Sequence, residues 1–397
     1  MQEVVIVSAA RTAIGKMGGA MKDIQPEDMS RIVMEDLIKR AGIEKGEIEE
    51  VIWAQTKQSA DAANIARVAA LKVGMPVETP AYTVMRQCGS GMQSVNSAMQ
   101  AIMCGQAEIL LAGGVESMSN AIYYLRNARY GYGAGNAVLV DSNTESQLGS
   151  QPREIYGDKL TMGMTAENLA VEYNITREEQ DIFAFASQNK CFAAIEGGRF
   201  KDEIVPVVIP FKKGAQVVFE VDEHPFRTTM EKLAKLMPTF KKDGTVTAGN
   251  SSGRNDGAAG VILMSAKTAE KKGMKPLAII RSIASAGCPP EMMGIGPVPA
   301  TDKALKVSGL KLDDIGLIEL NEAFAAQSLA CIKEGGFNPD ITNVNGGAIA
   351  LGHPLGCTGT RIIVTLLYEM LKRKTRYGLA TLCIAGGQGM TTIIETV

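Results

Sequence analysis

The chain has 397 residues, 46% of them hydrophobic, with 41 basic against 43 acidic side chains and only two histidines. Its net charge of −2 gives no electrostatic case for nucleic acid or an anionic membrane, so neither is expected as a partner. The length supplies cores for two or three domains of roughly 150 residues each, and the seven cysteines, scattered and without a CxxC pair, disfavour both a disulfide framework and a metal site.

Taken in chain order, "MQEVVIVSAARTAIGK" has a short apolar run, an acid at Glu3 and no basic leader. It reads as a first strand over 4–10, not a signal peptide. No stretch approaches the ~18 apolar residues of a membrane span, and a cytoplasmic location is the expectation. Met29, Ile32, Val33 and Leu37 then recur at helical spacing. The following segment, "AGIEKGEIEEVIW" (41–53), returns without a gap as "SGLKLDDIGLIEL" (308–320). A helical segment precedes each copy, and a strand opens each, the second over 277–285. Further on, 88–114 parallels 357–387. Both run from a small-residue turn through an amphipathic helix (Val95, Met99, Ile102; Ile363, Leu367, Met370) into an apolar strand ending Ala-Gly-Gly. Alternation alone is common to βαβ proteins, but the ungapped repeat points to two similar α/β halves, each with a buried sheet.

Between the halves, 119–247 is rich in turn formers and charge. It holds one clear helix, "TREEQDIFAFASQNKCFAAI", opened by a Thr176–Glu179 capping box. The expected division is therefore an N-terminal half over 1–118 and 248–270, a loop domain over 119–247 that caps the core, and a C-terminal half over 271–397. Residues 248–268 would return the chain to the first half as its last strand.

Three places invite chemistry. Cys88 lies before Gly89-Ser90-Gly91 and a helix, where a helix N-terminus lowers a thiol's pKa and favours the thiolate, although a small residue in a tight turn serves packing equally well. The "GSGMQS" stretch lacks the third glycine of a dinucleotide loop, with Ser94 in its place. Cys383 ends the matching strand of the second half, and Asn321 follows the repeated strand, so both would face a crevice at the carboxyl ends of strands. Taken singly, Cys383 reads as a buried structural thiol and Asn321 as a helix cap. His353 sits in the turn "GHPLGCTG" as a structural or a catalytic imidazole. His224, in "DEHPF", reads as a solvated loop residue.

Together, "QCGSGMQS", "TAGNSSGRNDGAA", "NEAFAAQ" and "NGGAIALGHPLGCTG" followed by "CIAGGQGM" closely resemble the thiolases over nearly the whole chain. The resemblance implies a duplicated, five-layered αβαβα fold with an inserted loop domain. It also implies a homo-oligomer, often a dimer of dimers, with acyl-CoA thioesters such as acetyl-CoA as substrates and no permanently bound cofactor or metal. Cys88 would be the nucleophile that carries the acyl group and His353 its base; Asn321 would fix a water beside the enolate oxygen, and Cys383 would move the α-carbon proton. Backbone N–H groups of Cys88 and Ala385 would form the second oxyanion site, with alanine at 385 where the family usually has glycine. Ser252 resembles the serine against the pantetheine arm; Met162, Met293 and Phe324 resemble acyl-pocket residues, and Arg227 is assigned to the nucleotide end of CoA. Many acetoacetyl-CoA thiolases have a histidine where this chain has Thr161, which opens the acyl-chain preference. The implied reaction is condensation of two acetyl-CoA to acetoacetyl-CoA, or its reverse. The alternatives are degradative thiolysis of longer 3-ketoacyl-CoA, a ketoacyl-ACP synthase, which needs a second histidine beside its cysteine, and a non-catalytic CoA or lipid binder.

Overall fold

A computed structural model describes residues 2–210 and 216–397. The first half runs β1 (Val4–Thr12), α1 (Pro26–Ala41), β2 (Glu50–Ala54), α2 (Ile65–Val73), β3 (Ala81–Val84), α3 (Ser90–Met103) and β4 (Ile109–Ser117). A long excursion carrying α4 (Met162–Glu172) and α5 (Arg177–Glu196) follows, and β5 (Asn255–Ser265) closes the half. The second half runs β6 (Ala278–Gly287), α6 (Pro297–Ser308), β7 (Leu317–Leu320), α7 (Ala325–Gly335), α8 (Leu355–Arg373), β8 (Tyr377–Ile384) and β9 (Gln388–Thr396).

The duplication read from the sequence is present down to single hydrogen bonds. Strands lie in the order β2-β4-β5-β1 in one half and β7-β8-β9-β6 in the other, with β3 added at the outer edge of the first. The two sheets touch where β1 meets β6, through Val5↔Ile279 and Ile6↔Ala278. Both opening strands bulge at the same place, between Ile6 and Ser8 and between Ile280 and Ser282. After each bulge a serine hydroxyl donates to a carbonyl of the next helix, Ser8 to Leu37 and Ser282 to Ala304, each at 2.9 Å. The repeated sequence has a local cause. Gly42 and Gly309 end α1 and α6 in the left-handed conformation (φ 65° and 72°). Carboxylates of Glu47 and Asp314 then accept the N–H groups of Glu44 and Lys311, each at 2.8 Å, and cap a single turn that aims the chain into its strand.

Five layers follow from where the apolar faces go. Helices α1 and α2 cover the outside of the first sheet, and α6 and α7 cover the outside of the second. Between the sheets α3 and α8 pack on each other, joining Val95, Met99, Ile102, Ile363, Leu367 and Met370 in one buried cluster. The spacing predicts amphipathic helices; α8 is instead buried on nearly every side, because sheet strands of both halves close on it.

Two further expectations change. The Ala-Gly-Gly triplets do not end equivalent strands: Gly113 and Gly114 lie inside β4, where strand β5 and the start of α8 at Gly356 approach too closely for a Cβ. Gly386 and Gly387 instead make the turn from β8 to β9 at φ 87° and 83°. The excursion is also not wholly outside the core. Ile204–Val205 pairs in parallel with Arg11–Thr12, and Phe200, Val207 and Phe219 are buried with α1 and β1. Arg11, fully buried, holds this return by ion pairs to Glu203 (2.6 Å) and Asp222 (2.7 Å). The Thr176–Glu179 capping box opens α5 as the spacing predicts. Among the described residues no helix is long and apolar enough to cross a membrane, and no cluster of His, Cys, Asp or Glu is arranged to hold a metal ion.

Candidate active site

A cavity of about 410 Å³ opens where the carboxyl ends of the two sheets face the excursion. Cys88, His353, Cys383 and Ala385 reach it from the two halves, and Met162, Ser252, Met293 and Phe324 line it as well.

Cys88 stands one residue before the N-cap of α3. The turn that presents it is strained: Gln87 has φ 44°, a left-handed conformation that non-glycine residues seldom adopt. Ser90 locks this turn, its hydroxyl accepting from the Arg86 N–H (2.7 Å) and donating to the Gln87 carbonyl (2.6 Å). Burial pushes the Cys88 thiol up, against the pull of the N–H groups of Ala385 and Cys88 and the charge of Lys57. The expected lowering by the helix end is therefore outweighed by desolvation, and the resting group is a thiol. The Ala385 N–H pulls the Cys88 thiol down; the left-handed residues of that turn are Gly386 and Gly387, so alanine at 385 keeps its donor.

His353 faces the same cavity from the turn before α8. Gly352 before it has φ 100°, and a Cβ there would strike the Asn255 side chain, whose Oδ1 accepts the His353 N–H at 3.0 Å. The Thr358 hydroxyl has one hydrogen, placed toward the Pro354 carbonyl at 2.9 Å. It therefore accepts from the His353 Nδ1–H at 2.7 Å. This fixes the tautomer with an unprotonated Nε2, which has no protein partner. Burial, aided by Arg361, lowers the imidazole to about 3, so it stays neutral at pH 7. Thr358, unrecognised in the sequence, thus orients the imidazole. We expect Thr358→Val to slow acylation of Cys88 roughly tenfold while Thr358→Ser retains it; single-turnover acylation of the two variants checks this, and equal rates for valine and wild type would remove Thr358 from the mechanism.

Cys383 ends β8 fully buried, paired in register with Gly389. Burial, and next the neighbouring Cys88, push its thiol well above the ordinary range. Asn321 follows β7, anchored by its N–H to the Thr381 carbonyl at 2.9 Å. Its side-chain amide is buried with neither Oδ1 nor Nδ2 engaged by protein, two residues before Ala323 of the cavity wall. On the apolar side Phe324 meets Phe240 edge-on at 6.0 Å, with Met162 and Met293 packed beside them.

Three residues singled out in the sequence do not line the cavity. Arg227 does not line the cavity; its exposed guanidinium pairs with Glu196 and stacks 4.4 Å over the Phe192 ring. The cation on the cavity wall is Arg254, which the sequence reading passes over although it lies within the "GNSSGRND" motif. His224 is not a solvated loop residue: it is half-buried against Gly253 of the cavity wall, and burial lowers its imidazole to about 4. Thr161 is not on the wall either. It caps α4 through the Met164 N–H, and its neighbour Met162 faces the cavity.

Residues 4–267 match the thiolase N-terminal domain and residues 274–396 the thiolase C-terminal domain. The chain belongs to the thiolase family. It is 52% identical over 391 residues to an acetyl-CoA acetyltransferase of Pseudomonas aeruginosa, covering 98% of each chain. A crystal structure of the Bacillus anthracis acetyl-CoA acetyltransferase matches at a TM-score of 0.97 and 45% identity, covering 100% of this chain and 99% of the other. Human mitochondrial 3-ketoacyl-CoA thiolase in complex with CoA matches at 0.94 and 44%, covering 100% and 98%.

Proposed function

We propose that this thiolase joins two acetyl-CoA into acetoacetyl-CoA and CoA, and runs the reverse cleavage, through an acyl-Cys88 intermediate. The observation that carries the reading is the convergence of two cysteines and an unpartnered, neutral imidazole nitrogen on one cavity. The Cys88 sulfur attacks the thioester carbonyl as His353 Nε2 takes its proton, and CoA leaves as a thiol. The N–H groups of Cys88 and Ala385 hold the oxyanion. Cys383 then moves the α-carbon proton of the second acetyl-CoA. Burial, which disfavours its thiolate, makes that thiolate a stronger base once formed, as a weakly acidic C–H bond requires. The resulting carbanion attacks acetyl-Cys88, and collapse of the adduct frees the sulfur. Asn321 positions a water at the enolate oxygen beside His353. Ser252 and Arg254 hold the CoA arm at the mouth, with Arg227 farther out toward the nucleotide, and CoA enters and leaves as substrate.

The apolar wall formed by Phe240, Phe324, Met162 and Met293 keeps a second reading in play, thiolysis of longer 3-ketoacyl-CoA in fatty acid breakdown. Comparing turnover of acetoacetyl-CoA with that of six- to ten-carbon 3-ketoacyl-CoA decides: a preference for the longer substrates would replace the first reading. Thr161→His, acting through Met162, is expected to depress longer-chain thiolysis more than acetoacetyl-CoA thiolysis, and equal effects would show that position 161 does not set chain length.

The loop domain and edge strand also suit a homo-oligomer, a dimer of dimers. Tyr123, Tyr130, Val138 and Leu139 are exposed on one excursion, and Tyr82 is exposed on the edge strand β3. Reactive free thiols and CoA thioesters suit a reducing cytoplasm.

A further inference from the structure

Lys57, in the loop after β2, is 7% exposed. Its Nζ donates to the Ser146 hydroxyl and, at 3.4 Å, to the Ser142 carbonyl. Among the described residues no carboxylate lies within ion-pairing distance of it. Glu116, which receives the Lys57 backbone N–H, is fully buried and already engaged: it accepts the N–H groups of Lys57 (3.0 Å), Thr56 (3.2 Å) and Gly356 (2.9 Å), and the Thr56 hydroxyl. A buried ammonium held only by neutral oxygens is costly, and two hydroxyl or carbonyl acceptors would serve a neutral donor as well. The charge therefore calls for a reason beyond tethering Ser146.

The position supplies one. Ser146 lines the same cavity as Cys88, and Glu116 fastens the Lys57 loop to Gly356 in the first turn of α8, three residues after His353. We propose that Lys57 is a positioning residue acting through its charge, a buried counter-ion for the Cys88 sulfur whenever that sulfur becomes anionic. The proposal rests on Cys88 as the nucleophile. Cys88 also has His353 and Cys383 on the cavity and the Ala385 N–H at its sulfur; Lys57 has Glu116, Asp141 and Arg254 around it. Burial lowers the Lys57 ammonium, against which Glu116 and then Cys88 pull it up; the Lys57 charge in turn pulls the Cys88 thiol down, so the two act on each other reciprocally. The sulfur is anionic twice in a turnover, as it attacks and as it is released by the condensation, so the counter-charge works in both halves of the reaction.

Lys57→Gln keeps a donor for Ser146 and removes the charge, whereas Lys57→Arg keeps the charge. In the full-length protein, carboxamidomethylation of Cys88 by iodoacetamide at pH 8, followed by peptide mass spectrometry, is expected to slow roughly tenfold in the glutamine variant. This corresponds to an upward move of about one unit in the pH midpoint of the reaction. Single-turnover acylation by acetyl-CoA should slow in parallel, with KM for acetyl-CoA within about twofold of wild type, and arginine should restore most of both rates. An unchanged midpoint in Lys57→Gln, or equal losses in the two variants, would overturn the proposal and leave Lys57 a tether. If the glutamine variant does not fold, Lys57→Met takes its place under the same criteria. Failure of wild-type Cys88 to acquire an acetyl group would be a failure of the nucleophile assignment instead.

Discussion

Cys88→Ala is expected to abolish the gain of one acetyl mass per chain on incubation with acetyl-CoA and to lower condensation and thiolysis by at least ~10⁴-fold. The reason is positional: no other thiol on the cavity stands at a strained turn before a helix N-terminus, and Cys383 lies fully buried within its strand end. The variant should melt close to wild type, because it removes one small, nearly buried sulfur and leaves the Ser90 bonds that lock the turn. Intact-protein mass spectrometry with acetyl-CoA reads the result, and persistent labelling of the alanine variant would move the acyl group to another residue.

His353→Ala is expected to slow acylation by ~10²–10⁴-fold, the usual worth of a positioned base. The buried Cys88 thiol, pushed up by desolvation, then has no imidazole to receive its proton. Stopped-flow acylation measures this, and a loss below about tenfold would return His353 to a structural role. The same substitution changes acid stability in a direction fixed by the shift. The folded imidazole titrates at about 3 and an unfolded one near ~6.5. Between those values the unfolded chain binds the extra proton, so the histidine's contribution to stability falls as pH drops below ~6.5. The alanine variant should therefore lose less stability than wild type between pH 7 and 5, as urea unfolding at the two values would show; an equal loss would mean that the imidazole is not held neutral.

How much of this was legible in the sequence depends on how far each cause reaches along the chain. The duplication was legible because its signals are local: a glycine that ends a helix, a carboxylate three residues after the N–H it caps, and an apolar strand behind them. The backbone positions of the candidate site residues were legible for a related reason, while their roles were implied only by the resemblance to thiolases. Cys88, Asn321, His353 and Cys383 each sit at the end of a strand or in the turn before a helix, where a short motif specifies the backbone. What the tertiary structure alone decided are the quantities set by groups far apart in sequence. Burial reversed the thiol shift expected from the helix end at Cys88. Two sheets closing on α8 turned an amphipathic pattern into a helix buried almost all round. The excursion set Arg254 and a half-buried His224 against the cavity wall and Arg227 away from it, and brought Phe240 onto Phe324. The tautomer of His353 followed only once the Thr358 hydroxyl was seen to spend its hydrogen on Pro354. Residue identity and backbone turns are written within a few positions, whereas desolvation and side-chain contact are sums over everything that packs nearby, and that packing exists only in the folded chain.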